Sequence, residues 1–282
     1  MSDQPADMTC AGAIAEARRR GVDALDAQLL LARILGISRT GVIAHGERAL
    51  LPMEQERWRD WITRRSAGEP LAYLLREKEF HGLLLEVTPD VLVPRPETEL
   101  LVDWALQCLP APLAAGTVLD LGTGSGAIAL AIKHRRPEAR VTATDDSLPA
   151  LAVARRNASR LGPDIEFVAG SWWQPLGGRR FHVVVANPPY VAAGDRHLSA
   201  LAHEPRRALT PGGDGLASLR EIVDGAGDHL EPGGWLLLEH GFDQGEPVRA
   251  RMAAAGLTGV ATRTDLSGQP RVTAARRPRG TV

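Results

Sequence analysis

From residue 116 onward, short apolar runs alternate with stretches of helical periodicity, and nothing else in the chain restricts its fold as strongly. Val118-Leu119-Asp120-Leu121, residues 140–144, 165–169, Phe181–Ala186 and 235–239 read as strands, and 127–134, Leu148–Leu161, 216–230 and 246–255 read as helices. Apolar runs of this length, separated by helices, suit strands buried on both faces and joined by helical crossovers. The expectation is an α/β domain with a mostly parallel sheet and helices on both sides. Short β stretches around Val260 and Val272 complete it, ahead of a basic tail at Arg276, Arg277 and Arg279.

The first part of the chain has a different texture. Ile14, Ala17 and Val22, then Leu25, Leu29, Leu30 and Ile34, recur at helical spacing, and Gly21, Gly36, Gly41 and Gly46 punctuate short helices. Pro52 opens another helix, carrying Trp58, Trp61 and Ile62, and the two tryptophans read as packing residues. Between 79 and 96, Phe80, Leu83, Leu85 and Val87 partly alternate with polar residues. There Pro89-Asp90 predicts a turn before Val91-Leu92-Val93. The segment 97–109 then predicts a helix with an acidic first turn. The expected organisation is a helical bundle over 1–78, a β-hairpin linker over 79–96 and an α/β domain over 97–282.

A chain of 282 residues can bury a large core. Its formal net charge of −1 argues against a dedicated nucleic-acid binder. Cys10 and Cys108 lie far apart and form no metal-ligand pattern, so no metal is expected. Residues 1–9 lack a basic and then apolar leader, and no apolar run reaches membrane length; a cytoplasmic protein without membrane contact is expected.

Two loops carry the chemistry. Gly122-Thr123-Gly124-Ser125-Gly126 follows the first strand of the α/β domain, at the carboxyl end where open sheets bind ligands. Its glycines allow a sharp turn and close approach of backbone to ligand. Asp145, at the end of the second strand, is spaced to accept hydrogen bonds from ribose hydroxyls, while Asp146 faces solvent or caps the next helix. With Ala127 the loop also fits a dinucleotide fingerprint, so nicotinamide and S-adenosylmethionine both remain open. Asp120, at the strand edge, is positioned to face a methionine amino group. The second loop, Asn187-Pro188-Pro189-Tyr190, closes the fourth strand. Its prolines offer no N–H and hold Asn187 out of the helical region, leaving a site rich in carbonyls and poor in donors. It reads either as a rigid turn or as a seat for a substrate that brings N–H groups. Its place beside the glycine loop favours S-adenosylmethionine over a nicotinamide cofactor.

With both loops in place, the chain resembles class I S-adenosylmethionine-dependent methyltransferases, and more narrowly the HemK/PrmC family. The resemblance extends over 68–272 and includes Gly68-Glu69-Pro70, Glu79-Phe80-His81-Gly82, Val93-Pro94-Arg95-Pro96-Glu97-Thr98-Glu99, Glu204-Pro205 and Leu237-Leu238-Glu239-His240-Gly241. Arg76 departs from it, standing where the family often has glycine. The resemblance implies a Rossmann-like domain behind a helical domain that binds release factors. It also implies methylation of the glutamine side-chain amide in the Gly-Gly-Gln motif of peptide-chain release factors, with S-adenosyl-L-methionine as cofactor. Gly122, Thr123, Gly124, Ser125 and Gly126 would wrap the cofactor, with Asp145 on the ribose and Trp172, or the adjacent Trp173, beside the adenine. Asn187 and the Pro188 carbonyl would hold the substrate amide, next to the cofactor, with Pro189 and Tyr190 completing that site. The rival is a methyltransferase for the exocyclic amino group of adenine in nucleic acid, which uses a similar Asn-Pro-Pro-aromatic element on a flipped base. The balanced charge disfavours it, and a monomer without stable nucleic-acid binding is expected.

Overall fold

In the computed structural model, residues 8–109 and 116–279 are described, and they form two compact units, Met1–Glu77 and Lys78–Val282. The first unit is helical. It comprises α1 (Cys10–Arg19), α2 (Ala24–Leu35), α3 (Arg39–Ala44), α4 (Pro52–Ser66) and α5 (Leu71–Leu75). Local chemistry sets their ends. Thr9 and Asp23 accept the Gly12 and Leu25 backbone N–H groups at the starts of α1 and α2, and Gly36, at φ 66°, stops α2 in the left-handed conformation. Pro52 opens α4 without wasting a donor, and Glu54 reaches back to the Leu51 N–H. Trp58 is fully buried with Leu30, Leu31 and Ile62 in the core of this unit, and Trp61 packs against its edge. Both are packing residues, as their helical spacing suggested.

The second unit begins with a two-stranded hairpin, β1 (Glu77–Phe80) and β2 (Leu83–Glu86). Its turn lies at His81-Gly82, not at Pro89-Asp90. Both turn residues have positive φ, 50° and 80°, as two-residue hairpins require, and the Glu99 carboxylate accepts the His81 N–H. Residues 91–93 form no strand, because the Val93 N–H donates instead to the Glu204 carboxylate, and the flanking Pro89, Pro94 and Pro96 have no N–H for a ladder. Phe80, Leu83 and Leu85 are buried against α6 (Glu99–Cys108). The carboxamide of Asn157 accepts the Glu86 N–H and donates to the Glu86 and Ser125 carbonyls, tying the hairpin to the glycine loop.

The main sheet has seven strands: β3 (Thr117–Leu121), β4 (Arg140–Asp145), β5 (Glu166–Ala169), β6 (Phe181–Ala186), β7 (Leu230–Glu239), β8 (Thr258–Thr264) and β9 (Pro270–Arg276). Helices α7 (Ala127–Arg135), α8 (Leu148–Leu161), α9 (Arg206–Leu209), α10 (Ala217–His229) and α11 (Gly245–Ala254) connect them. The strand order is β5-β4-β3-β6-β7-β9-β8, all neighbours parallel except that β9 runs antiparallel to both β7 and β8. Two buried clusters cover the two faces of the sheet. One draws on α6 and α7, the other on α10 and α11. The central strand β6 has Val183, Val184, Val185 and Ala186 fully buried, which is why it reads as an unbroken apolar run.

This order puts the chain's reversal of direction between β3 and β6. The first strands are added outward on one side of β3, and β6 returns to its other side. Loops leaving β3 and β6 therefore diverge and open a crevice at the carboxyl edge of the sheet. Those are the glycine loop and the Asn187 loop.

Candidate active site

A cavity of about 550 Å³ opens at that crevice. Its walls include Gly122, Thr123, Gly124 and Ser125 after β3, Asp145 at the end of β4, Trp172 after β5 and Asn187 and Pro189 after β6. Gly122, Gly124 and Gly126 have φ of 72°, 56° and 84°, a region that side-chain-bearing residues enter only at a cost. Gly122 also faces a near neighbour, since a Cβ there would lie 3.3 Å from the Trp172 ring. Gly126 does not line the cavity. A Cβ on it would come within 3.1 Å of Leu130 and 3.3 Å of Ala154, so its smallness serves the packing of α7 against α8.

The glycine loop is held from beneath by acceptors. The Thr144 carbonyl takes the N–H groups of Gly122 and Thr123, each at 2.9 Å. One Asp145 oxygen accepts from the Gly124 N–H at 2.9 Å and the other from the Ser147 N–H at 2.8 Å. Burial raises the Asp145 pKa, and those two N–H groups oppose the rise. Each oxygen keeps a lone pair for a further donor. Asp146 is exposed and ion-pairs with Arg207, while Ser147 caps α8.

Asp120 is not at the cavity wall. It is fully buried, and one carboxyl oxygen accepts the Thr123 hydroxyl at 2.6 Å and the Ala129 N–H at 3.2 Å. Burial pushes its pKa up to about 7, against the pull of those hydrogen bonds. It anchors the loop and the start of α7 from below, and the expected contact with a methionine amino group is withdrawn. A strand-edge position in the sequence does not reveal that the loop folds back over the residue.

The two tryptophans after β5 separate. Trp172 takes a positive φ of 42°, which turns its ring onto Gly122 at the cavity wall. Trp173 turns away and stacks on His229, with ring centroids 4.7 Å apart and planes 3° from parallel, and its indole N–H donates to the Glu221 carbonyl.

At the other loop, the Asn187 carboxamide nitrogen donates to the Thr98 hydroxyl at 3.2 Å. The carboxamide oxygen is thereby the group left to accept. Pro188 is buried and does not line the cavity, and neither does Tyr190. The Tyr190 carbonyl accepts from Gln244, and burial pushes the Glu239 carboxyl near this loop up to a pKa of about 7. Thr98, which lines the cavity, and the buried Glu204 and Glu239 carried no assigned role in the sequence. Glu204 accepts from the Val93 N–H and from Arg95, which draws residues 93–95 over the site. Among the described residues no group of three His, Cys, Asp or Glu is arranged to hold a metal ion.

Comparison with known proteins matches this geometry to a lineage. Residues 11–75 match the PrmC N-terminal domain and residues 98–217 the methyltransferase small domain. The release factor glutamine methyltransferase of Burkholderia pseudomallei is 49% identical over 270 residues, covering 93% of this chain and 94% of that protein. The chain belongs to the release factor glutamine methyltransferase family. The Pseudomonas aeruginosa member is also 49% identical, over 88% of this chain and 91% of its own length, and the Coxiella burnetii member 47%, over 90% and 91%. Solved structures support the fold at greater distance. A Pyrococcus furiosus methyltransferase superposes with a TM-score of 0.54 at 21% identity, over 78% of this chain and 98% of that one. The Thermus thermophilus 16S rRNA N2 G1207 methyltransferase, solved with AdoMet and guanosine, gives 0.54 at 20%, over 71% and 49%. Within the family's small-domain match lie both loops of the crevice and Thr98, the residue that holds Asn187. Among the described residues no helix is long and apolar enough to cross a membrane.

Proposed function

We propose that this chain transfers a methyl group from S-adenosylmethionine to the side-chain amide nitrogen of the glutamine in the Gly-Gly-Gln motif of peptide-chain release factors. The named activity of relatives matched over nine-tenths of the chain supports the substrate. The observation in the structure that carries the chemistry is the Asn187 carboxamide. Its nitrogen is engaged by Thr98, so its oxygen is available to a substrate N–H.

The cavity fits the cofactor. Its wall combines a tight left-handed glycine turn, a carboxylate with free lone pairs at Asp145 and an indole face at Trp172. Those groups match a sulfonium amino acid, a ribose and an adenine in turn. Gly122, Thr123, Gly124 and Ser125 would wrap the methionine and sugar portions, with Gly126 setting the loop's exit into α7. Bound there, S-adenosylmethionine supplies an electrophilic methyl group on sulfur.

An amide nitrogen is a weak nucleophile because its lone pair is delocalised into the carbonyl. Asn187 Oδ1, on the cavity wall, accepts one N–H group of the glutamine amide, and the carbonyl of Pro188, a residue that the wall does not expose, is the second acceptor that the family resemblance implies. That fixes the direction of the nitrogen lone pair, making attack effectively unimolecular. The same two dipoles favour the positive charge that develops on nitrogen as the new C–N bond forms and the C–S bond breaks. The charged amide is acidic and gives its extra proton to water, so no strong base is needed at the nitrogen. Pro189 lends the wall rigidity, and Tyr190 braces the loop from behind.

The same reading expects the protein to work as a monomer, in the cytoplasm, without stable nucleic-acid binding; its near-zero formal charge supports the last of these. The test is direct. Incubation with isotope-labelled cofactor and a release factor should place one methyl group on the Gly-Gly-Gln glutamine, located by mass spectrometry. Label appearing in adenine of added DNA or RNA, with the release factor unmodified, would favour the nucleic-acid reading instead.

A further inference from the structure

The Asn187 loop is pinned at both ends by side chains, and the far pin has no part in the reaction as described. Asn187 to Tyr190 belong to no strand, and Pro188 and Pro189 have no N–H with which to anchor their stretch of backbone. β6 pairs with β7 as far as Ala186 and Leu238, and beyond the loop the Val191 N–H donates to the Leu209 carbonyl at 2.9 Å. At the near end of the loop the Asn187 carboxamide nitrogen donates to the Thr98 hydroxyl. At the far end the Gln244 side-chain nitrogen donates to the Tyr190 carbonyl at 2.9 Å.

The Gln244 carboxamide is itself fixed in polarity. Its oxygen accepts the Gly241 N–H at 2.9 Å, so its nitrogen is the end that faces Tyr190, and the residue is 9% exposed. Turned over, it would set oxygen against carbonyl and nitrogen against N–H. Gly241 is a firm support. The His240 N–H before it donates to the Arg271 carbonyl at 2.9 Å, and the His240 ring bonds the Gly241 carbonyl and the Thr273 hydroxyl, each at 2.8 Å. Gly215, at φ 81°, closes in on the same Tyr190 carbonyl: a Cβ there would collide with that oxygen and lie 3.1 Å from the Gln244 nitrogen.

We propose that Gln244 is a positioning residue, whose grip on the Tyr190 carbonyl sets the course of the loop and so the aim of Asn187 at the substrate amide. The prolines carry the effect. With φ fixed at both, the stretch between has little freedom to absorb a displacement at Tyr190, which therefore passes to Asn187. The inference rests on the substrate role given to Asn187 above.

The experiment compares methylation of an intact release factor by wild type, Gln244→Met, Gln244→Glu and Asn187→Ala, with cofactor affinity measured separately by calorimetry. Gln244→Met keeps the length of the side chain and loses both hydrogen bonds. Its kcat should fall on the order of 10- to 100-fold, the cost of a misplacement of about 1 Å, with cofactor affinity unchanged. Gln244→Glu should fall at least as far at alkaline pH, where a carboxylate faces the Tyr190 carbonyl. Protonation gives the new carboxyl an O–H for that carbonyl and leaves its other oxygen for the Gly241 N–H. The ratio of variant to wild-type kcat should therefore recover as the pH drops. The charged and titratable groups of this region, Asp243 and His240 on the same loop, Arg249 on α11, and Glu239, Asp265 and Arg271 beside them, are common to both proteins, so the ratio isolates the new group. Wild-type kcat in Gln244→Met, or a loss of cofactor affinity that matches the loss of kcat, would overturn the proposal if Asn187→Ala is inactive. An active Asn187→Ala would instead overturn the substrate role of Asn187 itself. Should Gln244→Met not fold, the Gln244→Glu ratio decides alone: recovery at low pH supports the positioning role, and a flat ratio overturns it.

Discussion

The loops that leave β3 and β6 start from adjacent strands, and they solve opposite problems. The glycine loop is rich in N–H groups, and the acceptors below it, the Thr144 carbonyl and the carboxylates of Asp120 and Asp145, hold it in a left-handed course. The Asn187 loop has two consecutive prolines and no N–H at either. It is held instead by its own carboxamide on Thr98 and by Gln244 on the Tyr190 carbonyl. In the proposed reading one loop offers close backbone approach and the Asp145 carboxylate to a cofactor, and the other offers acceptors to an amide. A single crevice would then have a cofactor side and an acceptor side, where a methyl donor and an amide can meet without exchanging places.

If that division holds, breaking the acceptor side should stop chemistry and spare binding. Asn187→Ala is expected to lower kcat on the order of 10³-fold, comparable to deleting a preorganised dipole at a reacting centre, with cofactor affinity nearly intact. Single-turnover methylation paired with calorimetry measures both. A parallel loss of cofactor affinity would merge the two sides into one.

The cofactor side is open to attack from beneath, through pH. Asp120 has a folded-state pKa of about 7, raised by burial above the usual value near 4. Its contribution to stability is therefore fully present below about pH 4 and is lost as pH rises through about 7. Asp120→Asn removes that dependence, so its stability relative to wild type should rise by roughly 2–4 kcal/mol between pH 4 and pH 8. Denaturant melts at the two pH values give the difference, and a flat comparison would mean that Asp120 is better solvated than its burial implies. Asp145→Ala acts on the same side but at the wall. It should weaken cofactor binding by about 1.5–3 kcal/mol, the cost of charge-assisted hydrogen bonds, and an unchanged calorimetric affinity would remove Asp145 from the ribose role.

Both loops were legible in the sequence because glycine and proline act on the backbone locally, whatever surrounds them. β6 and α8 were bounded correctly for the same kind of reason: an unbroken apolar run ends at Asn187-Pro188, and Ser147 and Gly162 cap the helix. The hairpin was misjudged where tertiary contacts overrule local preference. His81 enters the left-handed region because Glu99 holds its N–H, while the stronger turn signal at Pro89-Asp90 sits in a segment drawn to Glu204. Arg76 is also left-handed, at φ 58°, which explains why glycine suits that position in the family. β7 starts earlier than expected, at Leu230, running through Pro232-Gly233-Gly234 with a register shift opposite Phe181 and Val183. Thr98 was beyond reach of spacing. It meets Asn187 from 89 residues upstream, and only the tertiary fold brings them together.

The adjacent tryptophans give the finest division. The resemblance puts Trp172 beside the adenine and leaves Trp173 as the adjacent possibility, since both follow a short strand in the same Gly170-Ser171 context. The structure separates them by one left-handed residue: the positive φ of Trp172 sends one ring to the cavity wall above Gly122 and the other into a stack on His229, where Gly225 is small enough to admit it. A Cβ at Gly225 would lie 2.4 Å from the Trp173 ring, so this second seat is tightly filled. Trp172→Ala should therefore weaken cofactor binding by about 0.5–1.5 kcal/mol, the worth of an aromatic stack, with no large change in melting temperature. Trp173→Ala should do the reverse, leaving cofactor affinity in place while lowering stability by roughly 3–5 kcal/mol at most, less for a side chain that is only half-buried. Titration calorimetry and thermal melts on the two variants decide the matter. If the two substitutions weaken the cofactor equally, the second indole also reaches the adenine, and the single left-handed residue does not divide binding from packing.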